Sequence, residues 1–255
     1  MKLIIRQTKE EMGALAAKHA AKLVNDAIEK RGYARILLST GASQFPFFKE
    51  FVKENIDWSK VEMFHLDEYV GISEEHPASF KRYLLDRFVN VVNPAKAHLI
   101  NGLCAPEETI AELTMLLSEK PVDVGLICIG ENGHIAFNDP PADFNDERAY
   151  KVVTLDERCL KQQVGEGWFK SVEETYKQAI SMTCREIMKC RSIISVVPYA
   201  VKADAIYETV TNDLTPNVPA TLLKQHPDCT IYCDADSSSR LADAMIKKAG
   251  IERVQ

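Results

Sequence analysis

Val122-Asp123-Val124-Gly125-Leu126-Ile127-Cys128-Ile129, followed by Gly130-Glu131-Asn132-Gly133-His134-Ile135-Ala136-Phe137-Asn138-Asp139-Pro140, is the stretch on which the fold turns. The first eight residues are almost wholly apolar and rich in β-branched side chains. A run of that length reads as a strand buried on both faces, which is the signature of a parallel sheet. Gly130 and Gly133 end the strand and allow positive φ or a close approach of backbone to a ligand. His134 is then presented just past the C-terminal end of a central strand, the edge at which open α/β sheets bind ligands. A histidine there, with amide and carboxylate neighbours, is a candidate for proton transfer.

The rest of the chain alternates strand and helix around this stretch. Leu3 to Arg6 reads as a strand. Thr8-Lys9-Glu10-Glu11 is a capping box that opens a helix to about Lys30, closed by Gly32. Ala34 to Ser39 is the next strand, and the turn Thr40-Gly41-Ala42-Ser43-Gln44 leads into a helix from about Pro46 to Glu54. A strand, a hydroxyl-rich turn and a helix start form one way of holding a phosphate. Val61 to Leu66 is a strand ending in Asp67-Glu68-Tyr69-Val70-Gly71, where either carboxylate is a candidate base and one is expected to cap the following segment. A helix is expected from Pro77 to about Phe88, a strand at His98 to Ile100 and a helix over Glu107 to Ser118.

Beyond Pro140-Pro141, the polar run Asp143 to Glu147 reads as an exposed loop able to act as a lid. Lys151 to Leu155 is a strand. A helix from Asp156 toward Val164 is broken by Gly165-Glu166-Gly167-Trp168. Ala179 to Met182 is a strand followed by a second capping box at Thr183-Cys184-Arg185-Glu186. Ser192 to Val197 is a buried strand, after which Pro198 and Tyr199 turn into a helix with Lys202 near its start. A lysine there opposes the helix dipole, as it would if it met a bound anion. Thr230 to Cys233 is expected to be the last strand, with Asp236 capping a helix to about Lys248. There is no internal repeat or linker, so residues 1–255 read as one domain: an α/β fold with a mostly parallel sheet and helices on both faces.

Bulk properties exclude several classes. Of 255 residues, 31 are basic and 37 acidic, giving a net charge of −6 with no long run of one sign. That argues against nucleic acid or an anionic membrane as partner. The N-terminus lacks the anatomy of a signal peptide, and no stretch has the ~20 apolar residues of a spanning helix. Seven scattered cysteines without a Cys-x-x-Cys pair read as reduced thiols of a cytoplasmic protein, with no zinc site.

Three motifs together resemble one family. Leu66-Asp67-Glu68-Tyr69-Val70-Gly71, the Gly130 to Pro140 stretch, and Pro219-Ala220 with Leu223 and His226-Pro227 look like glucosamine-6-phosphate deaminase, also called glucosamine-6-phosphate isomerase. The likeness runs from Leu3 to about the last strand. It implies a modified doubly wound, Rossmann-like α/β fold, mostly parallel with helices on both faces, and conversion of glucosamine 6-phosphate and water to fructose 6-phosphate and ammonia, with no metal or organic cofactor. It implies Asp67 as the base that moves a proton between C2 and C1, and His134 as the residue that assists ring opening, oriented by Asn132 and Asp139. Thr40, Gly41, Ala42 and Ser43 match the phosphate loop, and Lys202 a phosphate-binding lysine. Gly133, Glu68 and Arg158 are further expected near the substrate.

The chain departs from the family pattern at Asn132 (commonly Asp), at Asp139 (usually Glu), and at Gln163, where members of the best-known bacterial type place a phosphate-binding Arg. Its phosphate loop ends Ala42-Ser43-Gln44 rather than Gly-Thr-Pro. These mark a divergent branch whose amino-sugar preference, glucosamine or galactosamine, is open. Positions matching the activator site of the hexameric enzymes are Ala142, Asp143 and Val153, so no activation by an acetylated sugar phosphate is expected, and homo-oligomerisation is left open. Two alternatives are weighed against this reading. One is 6-phosphogluconolactonase, whose Gly-His motif continues differently; the other is a non-catalytic sugar-phosphate sensor.

Overall fold

The computed structural model describes residues 1–165 and 167–254. Glu166, within the stretch expected to break a helix, lies outside the described residues. Eleven strands are described: β1 (Lys2–Ile5), β2 (Ala34–Leu38), β3 (Val61–His65), β4 (Asp67–Tyr69), β5 (Lys96–His98), β6 (Val124–Ile127), β7 (Tyr150–Thr154), β8 (Gln178–Met182), β9 (Ser192–Val197), β10 (Cys229–Cys233) and β11 (Glu252–Val254). The helices are α1 (Lys9–Arg31), α2 (Phe45–Phe51), α3 (Phe80–Leu84), α4 (Asn90–Val92), α5 (Pro106–Ser118), α6 (Glu157–Gly165), α7 (Cys184–Ile187), α8 (Ala203–Thr211) and α9 (Asp243–Lys248).

Eight strands form one sheet in the order β11-β1-β10-β9-β6-β2-β3-β5, and each neighbouring pair in it is parallel. β6 sits between β2 and β9 and is buried throughout, as its apolar sequence requires. Alternate residues of the strands feed two cores. Ile36, Leu38, Val124 and Ile194 pack against α1 and α2 on one face, while Leu37, Ile127 and Ile193 join Leu113, Ile206 and Ile246 on the other. The helices therefore lie on both faces. α1 comes close because its buried side is mostly alanine, and at Gly13 a Cβ would stand 2.6 Å from the Pro46 backbone. Its capping box at Thr8 and the left-handed Gly32 behind it are as the sequence indicates.

The structure corrects several expectations. Asp67-Glu68-Tyr69 is more than the end of β3. The chain bends at Leu66, whose N–H still pairs with Leu38 of the large sheet and whose carbonyl accepts from Met182. It then enters β4, the edge of a separate antiparallel sheet ordered β4-β8-β7. The strands expected at 151–155 and 179–182 thus belong to this second sheet. The helix expected from Pro77 begins only at Phe80, capped by Ser79, and passes through a π-helical turn (Leu85–Val89). The strand near His98 is Lys96–His98, two residues earlier than expected. Thr183 does cap, but its helix is only four residues long. Asp236 caps nothing; Asp234 organises that turn, and α9 starts at Asp243. β11, beyond the expected last strand, pairs with β1.

Candidate functional site

The loops that follow β2, β6 and β9 emerge side by side at the C-terminal edge of the large sheet, and β4 comes beside them from the second sheet. Together they enclose a cleft of about 480 Å³, counting its open mouth. Asp67, His134, Thr40, Gly41, Ser43 and Lys202 all line it. Residues up to 162 positions apart in sequence thus meet in one cavity.

The His134 loop is built around Gly130. The His134 carbonyl accepts from the Gly130 N–H at 2.9 Å, and the Gly133 N–H donates back to the Gly130 carbonyl at 3.1 Å. This folds the imidazole over Gly130, where a Cβ would lie 2.1 Å from the ring. Asn132 Oδ1 accepts from the His134 backbone N–H at 3.1 Å, and its Nδ2 donates to Asp139 Oδ1 at 3.0 Å. Asp139 Oδ1 stands 3.2 Å from His134 Nδ1. Burial pushes Asp139 up, but His134 and Asn132 outweigh it and hold the carboxyl below its ordinary value, so it is ionised. A carboxylate only accepts, so at this separation it favours the tautomer with the proton on Nδ1, which leaves Nε2 for a substrate. Asn132 therefore acts on the ring through the backbone and Asp139, without touching it. The loop is pinned to β8 as well: Phe137 N–H donates to Ser181 Oγ at 3.0 Å and Asn138 Nδ2 to the Met182 carbonyl at 2.8 Å.

Ser181 is also the residue opposite Asp67 in the β4–β8 pairing, so one strand fixes both the carboxyl and the imidazole loop. Asp67 is 6% exposed. Burial, and after it the neighbouring Glu68, pushes its carboxyl up to about 8. Such a group can accept a proton near neutrality and give it back.

Glu68 faces the other way. Its carboxylate accepts from the Ser79 hydroxyl at 2.8 Å and from the N–H groups of Tyr69, Phe80 and Lys81 at 2.9, 3.2 and 2.7 Å. It is thus the member of the acidic pair that caps the next segment, and the expectation that it lies on the substrate is corrected. Burial raises it to about 7, against the pull of those hydrogen bonds. Arg158 is likewise exposed on α6 and does not line the cleft, whereas Gln162 and Gln163 of the same helix do. Ala42, Gly133, Asn132 and Asp139 stand behind the lining and do not form it.

The anion side is made by the loop after β2 and by Lys202. Gly41 takes φ 104°, ψ 163°, a conformation open to glycine alone, and turns the chain into the helical turn Ala42–Gln44. Lys202 is 4% exposed, lines the cleft and pairs with no acid among the described residues. It is delivered by a turn (Ala200–Lys202) that follows Tyr199, itself held at φ 80°, ψ 144° with its N–H on Asp234 Oδ2 at 3.1 Å. Strain of this kind in a non-glycine residue collects at functional sites. Phe80, Phe137 and Gln162 were not anticipated as lining. Phe80 and Phe137 stack at 5.7 Å between centroids and form an apolar wall, legible in the sequence only as core aromatics. Among the described residues no group of His, Cys, Asp and Glu is arranged to hold a metal ion, and no helix is long and apolar enough to cross a membrane.

Comparison with known proteins gives a consistent picture. A family model described as glucosamine-6-phosphate isomerases/6-phosphogluconolactonase matches residues 7–232. A glucosamine-6-phosphate deaminase from Thermoanaerobacter pseudethanolicus is 36% identical over 256 residues, covering 97% of this chain and 98% of that protein. Among solved structures, a monomeric glucosamine-6-phosphate deaminase superposes with a TM-score of 0.84 at 28% identity, covering 94% of this chain and 99% of that one. A 6-phosphogluconolactonase from Shewanella baltica superposes with a TM-score of 0.77 at 18% identity, covering 92% and 98%, which shows a shared fold.

Proposed function

The chain belongs to the family of glucosamine-6-phosphate isomerases and 6-phosphogluconolactonases, and from that premise we propose that it is a glucosamine-6-phosphate deaminase, converting glucosamine 6-phosphate and water to fructose 6-phosphate and ammonia. One observation carries the reading: a carboxyl group raised to about 8, an imidazole oriented by a carboxylate, and a buried lysine face the same cleft. Relatives sharing about a third of the sequence over nearly its whole length carry that activity in their names.

The reaction needs three things, and each has a group to supply it. Lys202 and the loop Thr40 to Ser43 bind the phosphate, and binding energy from that remote anchor positions the reacting carbons. His134 Nε2 exchanges a proton with the ring oxygen, so that the sugar opens. Asp67, as carboxylate, takes the proton from C2 and leaves a C1–C2 enolamine; the proton is then delivered to C1. The resulting C2 imine adds water and expels ammonia, leaving the ketose. Residues 1–255 serve as one deaminase unit in this reading, and every proposed site residue comes from a single chain. The oligomeric state is a matter for sedimentation. The seven free thiols suit a reducing compartment, so the reaction is assigned to the cytoplasm.

The test is release of ammonia and fructose 6-phosphate from glucosamine 6-phosphate, with galactosamine 6-phosphate alongside and His134→Ala as control. Equimolar release that disappears in the variant is the expected result. A folded protein that releases neither product, but opens a phosphorylated sugar lactone or binds phosphate without turnover, would overturn the proposal.

A further inference from the structure

Gln44 is 2% exposed and stands behind the anion loop. Its amide nitrogen donates to two oxygens, Ser43 Oγ at 3.0 Å and the Val196 carbonyl at 3.0 Å. A backbone carbonyl only accepts, which fixes the NH2 end of the amide toward Val196. The second N–H of the same nitrogen then falls on Ser43 Oγ and occupies one of its lone pairs. A hydroxyl used in this way as an acceptor keeps its own proton to give. Ser43 lines the cleft with Lys202, so that proton is available on the side where an anion would sit. The same two bonds tie the loop after β2 to the end of β9, across the mouth of β6, which lies between them.

We propose that Gln44 is a positioning residue for the phosphate. By donating to Ser43 it turns the serine hydroxyl into a dedicated donor toward the phosphate, and by donating to Val196 it holds the loop at the distance that this requires. The identity of the anion as a sugar phosphate rests on the deaminase reading; the clamp itself does not. Gln44 is where the phosphate loop of the similar family commonly carries proline, which has no side-chain donor. This branch therefore orients its serine by a route that proline cannot supply.

A double-mutant cycle tests the proposal with inorganic phosphate as probe, by calorimetry without turnover and as a competitive inhibitor of turnover. Gln44→Leu removes both donors at similar volume, and Gln44→Glu keeps the length but, when ionised, loses them. Gln44→Glu is read alone should Gln44→Leu not fold. Each of these variants, and Ser43→Ala, is expected to weaken phosphate binding about tenfold, with the Gln44 variants raising KM more than they lower kcat. Ser43→Ala combined with Gln44→Leu should bind phosphate no more weakly than Ser43→Ala alone, because the two residues act as one unit. Unchanged phosphate affinity in the Gln44 variants would overturn the proposal, as would losses that multiply to about a hundredfold in the double variant. Coupling in the calorimetric arm without any deamination would sustain the clamp and remove the deaminase reading.

Discussion

The imidazole of His134 occupies the space that a side chain on Gly130 would take, and this contact decides what the loop can do. Gly130→Ala would bring a methyl carbon to about 2 Å from the ring, which must then swing off Asp139. We expect Gly130→Ala to lose at least ~100-fold in kcat, since a displacement of about 1 Å in a catalytic group costs that much. Its circular dichroism should stay native, and a variant with wild-type turnover would contradict the packing described. Asp67 gives a second prediction, with a sign. Its carboxyl ordinarily titrates at 3.8 and here at about 8. Its stability contribution is whole below pH 3.8 and lost as pH rises to about 8. Asp67→Asn removes that cost. The wild type should therefore melt progressively below Asp67→Asn between about pH 5 and about pH 8, while the variant binds substrate and fails to exchange the C2 proton with solvent. Wild-type kcat/KM should rise with pH through the same value near 8, because the free enzyme must ionise Asp67 to use it.

At the scale of elements, two buried charges hold the framework, of which the sequence signalled only that one of Asp67 and Glu68 would cap. Arg35 lies in β2 among apolar residues and is fully buried. Its Nε pairs with Glu62 at 2.8 Å, its Nη atoms donate to the Leu116, Leu117 and Lys120 carbonyls at the end of α5, and its guanidinium covers the Phe64 ring. A cation on the last carbonyls of a helix is favourable. Arg35→Met would strand those carbonyls and should cost about 3 to 5 kcal/mol in urea unfolding. Glu68 does the corresponding work at the other end of an element, satisfying the first N–H groups of α3. Glu68→Ala leaves those donors buried and should cost about 2 to 4 kcal/mol, with kcat affected less than stability. The residues alone offered Asp67 and Glu68 as equals, and only the family resemblance favoured Asp67; which one faces the cleft depends on the bend at Leu66. That bend was hidden for the same reason as the second sheet. β4, β7 and β8 are short runs of three to five residues, and period alone gives neither the partner of a strand nor its direction.

The molecule as a whole puts its cleft where the strand order reverses about β6, so that chain from both directions contributes loops to one edge. The second sheet completes that edge, and the aromatic cluster of Tyr69, Phe80, Phe137 and Phe169 seals it from below. Of the positions that matched an activator site, Asp143 is exposed and the other two are taken up in packing. Ala142 is buried with its N–H on the Pro216 carbonyl, and Val153 packs against the aromatic cluster. We expect hyperbolic kinetics in substrate that N-acetylglucosamine 6-phosphate leaves unchanged. Sigmoid curves that it straightens would contradict this.

The sequence by itself determined the alternation of strands and helices and β6 as the central strand, and its motifs marked Asp67, His134, Asn132, Asp139 and Lys202 as the residues to which we assign the chemistry. Each of these is written in local signals: an apolar run, a cap, a glycine pair, a motif. Only the tertiary structure decided which residues share a cavity. Glu68 and Arg158 turn away from it, Gln162 and Phe80 enter it, and Ser181 holds Asp67 and the His134 loop together from 44 residues beyond Phe137. Those outcomes depend on pairings between distant segments, whose geometry is set by the packing of the two sheets rather than by any neighbour in the chain.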